Sequence, residues 1–144
     1  MPGVVESIHV ADAAEHVPRA VERATAVAGR GLEGDRYFHG TGTFSDWPGG
    51  RDLTLIEAEA AEAAGIAPGD ARRNVVVRGV DLNALVGSRF RVGEVECEGL
   101  ELAEPCAHLE RLTRPGVLRT LAGRGGLRAA IVSGGEIAVG DAVG

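Results

Sequence analysis

The sequence contains no lysine: all 15 of its basic residues are arginine. Without an ε-amino group there is no Schiff-base nucleophile, which excludes covalent pyridoxal-phosphate chemistry, and no phosphate loop can end in Gly-Lys. Aromatic residues are scarce, at 3% of the chain, so a core has to be assembled from Val, Leu, Ile and Ala. Cysteine occurs only at 97 and 106. Position 103 is Ala, so there is no Cys-x-x-Cys pair, and two thiols are no disulfide framework. No apolar run approaches the ~18 residues of a membrane-spanning helix. The N-terminus lacks a basic segment followed by a long apolar stretch, so a cytoplasmic protein without membrane association is expected.

The 144 residues suit one domain, 1–144, with a single core. A net charge of -6 argues against nucleic acid held by general electrostatics, although a local arginine cluster can still grip one phosphate.

The stretch Leu102-Ala103-Glu104-Pro105-Cys106-Ala107-His108 organises the reading. Pro105 fixes its own φ and biases Glu104 toward extended backbone, so Cys106 is expected to emerge from a strand end. A lone cysteine is often a buried structural residue. Here His108, Arg111 and Arg114 follow, an electropositive setting that favours a thiolate. A Cys-His hydrolase is the weaker alternative, because no third residue is evident to orient His108.

Along the chain, Val4, Ile8 and Val10 share an alternating phase and predict a half-buried first strand. Pro18 predicts a short helical turn through Arg23. Gly29 to Gly40 is a glycine-rich loop carrying Asp35, Arg36 and His39, and 41–51 continues irregularly around Trp47. Thr54 and Glu57 form a capping box for a helix that Gly65 ends, with Glu57, Glu59 and Glu62 facing water. Val75 to Val77 is a β-branched run suited to a strand buried on both faces, with Arg72, Arg73 and Asn74 at its entrance. Adjacent guanidiniums there can clamp an anion or pair with surface acids.

Residues 81–87 predict a helical turn. Residues 90–98 predict a bent strand or a tight hairpin with Cys97 pointing inward, and a slip of phase at Gly99 predicts a bulge. Two short helices are expected over 109–121, then a strand 127–133 and a hairpin at Gly134-Gly135 into a closing strand. Strands without regular β-α alternation indicate a mostly β fold, a small β-barrel with several short helices.

Six pieces in this order resemble the MOSC family, domains related to the C-terminal part of molybdenum cofactor sulfurases: Gly31-Leu32-Glu33-Gly34-Asp35-Arg36, Leu53-Thr54-Leu55-Ile56-Glu57, Arg73-Asn74-Val75, Leu85-Val86-Gly87 with Phe90-Arg91-Val92-Gly93, Glu104-Pro105-Cys106 and Gly140-Asp141. The resemblance runs from about Val4 to Val143 and implies a β-barrel that binds the molybdenum cofactor (molybdopterin). It implies one essential cysteine, matched by Cys106, which either carries a persulfide as a sulfur carrier for transfer to molybdenum or ligates the metal in a reductase of N-hydroxylated compounds. A non-catalytic module that stores or delivers the cofactor is the third reading. Arg72, Arg73, Asn74, Arg36 and His39 are the candidate cofactor-binding residues. With no lysine and no desulfurase domain, a persulfide role implies a separate cysteine desulfurase, and a reductase role implies an electron-transfer partner.

Overall fold

The computed structural model describes residues 3–10, 19–29, 31–33, 52–65, 73–102 and 126–144. These contain β1 (Gly3–Val10), β2 (Arg19–Val21), β3 (Arg23–Val27), β4 (Gly31–Leu32), β5 (Leu53–Glu57), α1 (Ala58–Ala64) and β6 (Val75–Arg78). A 3-10 turn (Leu82–Leu85) leads into β7 (Arg89–Val92), β8 (Val95–Leu102), β9 (Leu127–Ser133), β10 (Gly135–Ala138) and β11 (Ala142–Val143). The expected helices over 109–121 and the irregular stretch around Trp47 lie outside the described residues.

Seven strands close into a barrel in the order β11-β7-β8-β9-β5-β6-β1, and the pairing of β11 with β1 completes the ring. The expected mostly β barrel is thus the observed architecture. The edge of β1 that meets β11 near its start carries β2 near its end. A separate sheet, β10-β3-β4, packs beside the barrel. Aliphatic side chains from both sheets, among them Ile8, Leu32, Leu55, Val75, Val77, Leu127 and Ile137, fill one core. With so few aromatics, this density of small branched residues supplies the apolar burial.

Several expectations hold where the pattern is local. Val75 to Val77 are completely buried in β6, and residues 82–85 form the expected turn. Cys97 points into the core from β8, and the register of β8 against β9 slips between Gly99 and Glu101 as the change of phase predicts. Gly99 has no room for a side chain, because a β-carbon there would run into the Leu85 carbonyl.

Other expectations are corrected by pairing. The capping box does not form: Leu53 to Ile56 are buried in β5, bonded to β9 on one side and in parallel to β6 on the other, and α1 starts only after Glu57. Two ladders outweigh one local cap. A parallel pair needs a crossover, and the connection holding α1 supplies it. Gly65 ends α1 as expected, with φ of 71°. Glu57 and Glu59 are not simply water-facing, since they accept the amides of Leu82 and Gly79 at 3.2 and 2.9 Å.

The turn predicted after Pro18 is instead β2 and β3, in which Ala24 and Ala26 alternate inward with period two. In β1 a register shift between Val5 and Ser7 reverses the early phase, so Val5 is buried and Val4 is exposed. No hairpin forms at Gly134-Gly135, because β9 pairs with β5 and β8 while β10 pairs with β3. The chain changes sheets there, and a β-carbon on Gly134 would lie 2.5 Å from the Ala26 carbonyl oxygen.

Replacing Gly99 by Ala should therefore cost roughly 1–3 kcal/mol of overpacking strain. Urea unfolding should show a lower midpoint at unchanged slope.

Candidate functional site

Successive register pairs bring four strand ends to one rim of the barrel. Leu102, the last residue of β8, faces Leu127, the first of β9; Leu127 also faces Leu55, which faces Val75, the first of β6; and Val75 faces Ile8 near the end of β1. Segment 103–125, which contains Cys106, is joined to this rim at both ends. Cys106, Arg72, Arg36 and His39 lie outside the described residues. Arg73 and Asn74 lie within them, at the entrance to β6, where the β-branched run indicated.

Arg73 is half-buried. Beside it Gly126 adopts φ of 122°, and a β-carbon there would strike the Leu55 carbonyl and come within 3.3 Å of the Arg73 Nε. Glycine at 126 lets three chain segments meet: the start of β9, the middle of β5 and the guanidinium of Arg73.

Asn74 is buried and ties three elements together. Its Oδ1 accepts the Thr54 amide and the Thr54 hydroxyl, both at 3.2 Å, and its own amide donates to Thr54 Oγ1 at 2.9 Å. Its Nδ2 donates to the His9 carbonyl at 3.2 Å, and the His9 amide donates to the Asn74 carbonyl at 2.6 Å. A buried amide satisfied in this way orders the backbone that precedes β6. The second Nδ2 hydrogen has no partner among the described residues.

Two further buried polar residues carry weak sequence signals. His9 sits in an apolar strand with Nε2 2.8 Å from Ser7 Oγ, and burial holds its pKa below the ordinary histidine value. Asp52 immediately precedes β5, and its Oδ2 accepts the Ile131 amide at 2.9 Å. Burial raises its pKa, against the lowering effect of amides donated by Ile131 and Gly29. Cys97 is fully buried, and burial, followed by the Asp52 and Glu96 carboxylates, pushes its thiol up to about 12. Such a thiol is neither nucleophile nor metal ligand at neutral pH. Among the described residues no cluster of His, Cys, Asp or Glu is arranged to hold a metal ion.

A sequence model of the MOSC domain matches residues 51–144, which include the crossover, three of the four strand ends at the rim and six of the barrel strands. The chain belongs to the MOSC domain family. The same fold is also found in solved structures. The YuaD protein of Bacillus subtilis is 20% identical with a TM-score of 0.79, over 99% of this chain and 94% of that one. YiiM of Escherichia coli is 17% identical with a TM-score of 0.65, over 99% and 67%, and YiiM of Geobacillus stearothermophilus is 14% identical with a TM-score of 0.69, over 99% and 74%. At these identities the likeness is one of fold. The sequence matches no curated protein.

Two outcomes follow for the MOSC rim and core. His9 is held neutral in the fold and titrates near 6.5 once unfolded, so its contribution is present above about 6.5 and lost as pH falls below it. Urea melts between pH 7 and 5 should show His9→Gln with a flatter loss of stability than the parent. In Cys106→Ser protein, a thiol reagent at pH 8 should find Cys97 silent until denaturant is added.

Proposed function

We propose that this MOSC domain binds the molybdenum-pterin cofactor at the rim bearing Arg73 and uses Cys106 as a persulfide sulfur carrier. The observation that carries the reading is the convergence of strand ends: the chain bearing Cys106 leaves at Leu102 and returns at Gly126, and Gly126 packs against Arg73. Family membership supports the cofactor.

The rim residues fit the cofactor's anionic tail. A guanidinium offers a planar fork matched to phosphate oxygens, and Arg73 has such a fork at a strand entrance held in place by Asn74. Asn74 contributes its second Nδ2 hydrogen, and Arg72, Arg36 and His39 complete the set of candidate contacts. When bound, the cofactor supplies a thiophilic metal able to accept sulfur.

The chain's own chemistry is a thiol exchange. The Cys106 thiolate attacks the outer sulfur of a persulfide carried by a separate cysteine desulfurase. A sulfur-sulfur bond forms to Cys106 as the donor's bond breaks, the donor cysteine leaves as thiolate, and no net oxidation occurs. Cys97, buried with its thiol at about 12, does not compete.

Incubation with a cysteine desulfurase and L-cysteine should make the intact protein heavier by one sulfur atom, and dithiothreitol should reverse the gain. Cys106→Ser should abolish it, while Arg73→Ala should keep it but retain less pterin cofactor on gel filtration. An increment that survives Cys106→Ser overturns the carrier reading. Absence of any increment, together with Cys106-dependent reduction of an N-hydroxylated compound, transfers the residue to the metal-ligand role.

A further inference from the structure

A concave surface lies where β2 faces the three-stranded sheet, a groove of about 350 Å3. Val10 and Val21 give it an apolar side, and Arg19, Arg23, Glu33 and Glu136 line it with two charges of each sign. The register of the small sheet builds the polar wall: Glu136 faces Thr25 across β10 and β3, and the Glu33 amide donates to the Thr25 carbonyl at 2.9 Å from the other side.

The four charges are not equivalent. Arg23 donates to Glu136 at 2.6 Å and the two neutralise each other. Arg19 and Glu33 have no side-chain partner among the described residues, yet they line the same groove. An exposed ion pair contributes little to stability, so holding the fold together does not account for this collection of charges. An unpaired guanidinium can grip a carboxylate with two parallel hydrogen bonds, and an unpaired carboxylate can accept from an ammonium group. Net neutrality of the lining disfavours a ligand with a large net charge of either sign. A groove of this volume has ample room for a ligand of amino-acid size.

We propose that this groove is a binding site for a small zwitterion of the α-amino-acid class, with the carboxylate on Arg19 and the ammonium on Glu33. The Arg23–Glu136 pair forms a neutral wall beside it. The proposal is independent of the cofactor reading, since none of these residues belongs to the set assigned to the rim.

The test is an amide NMR titration with L-serine as probe, with acetate and methylammonium as single-charge controls. Saturable shifts are expected at Thr25 and Glu33, and weaker responses to either control. Both Arg19 and Glu33 are exposed, so Arg19→Ala and Glu33→Gln should fold normally. Each should weaken L-serine binding by about tenfold or more, as expected for loss of a charge-assisted hydrogen bond. Absence of saturable shifts, equal binding of acetate, or unchanged affinity in both variants would overturn the proposal.

Discussion

The side-chain amide of Asn74 is the constraint on which this rim of the barrel depends. It faces Thr54 on β5 and the His9 carbonyl on β1, so one residue ties three strands that enter or leave the barrel at the same rim. The interior offers these groups no water, and each bond left unmade exposes a buried donor or acceptor to a desolvation penalty of about 1–3 kcal/mol. Strand ends ordinarily fray. Here the entrance to β6 is as tightly specified as its buried middle, and the preceding Arg73 inherits that order.

The barrel interior also fixes the state of one of the two cysteines. Cys97 sits inside the barrel, in aliphatic surroundings and near carboxylates that further disfavour a thiolate. Cys106 belongs to segment 103–125, whose flanking residues Leu102 and Gly126 lie at the rim. A fold whose interior suppresses the Cys97 thiol leaves Cys106 as the cysteine on which the proposed chemistry rests. The same rim carries Arg73 and Asn74 ahead of the β-branched strand β6, within the region that the MOSC domain model matches.

How much of this was legible in the sequence depended on whether the signal was local. Val75 to Val77, the β7–β8 hairpin, the inward Cys97 and the slip at Gly99 were readable because alternation and β-branching report directly on the two faces of a strand. Thr54 misled because its spacing to Glu57 is a sound helix-start pattern, and only the ladders to β6 and β9 reveal that the backbone is already committed. The Pro18 turn failed similarly, since β2 and β3 are too short to declare themselves without their partners. At the site, the position of Arg73 and Asn74 at the entrance to β6 was legible from the β-branched run that follows them. The roles of His9 and Gly126 were not, for each depends on a neighbour more than 50 positions away in the chain, Asn74 for the first and Leu55 with Arg73 for the second.

Amide hydrogen exchange on Asn74→Ala protein tests the account most directly. Protection at Thr54, His9 and the 74 amide should fall to that of a local opening, while Val92, Val95 and Cys97 on the far strands keep theirs. Unchanged protection at the Thr54, His9 and 74 amides, with global stability within about 0.5 kcal/mol of the parent, a change typical of inconsequential surface substitutions, would contradict it.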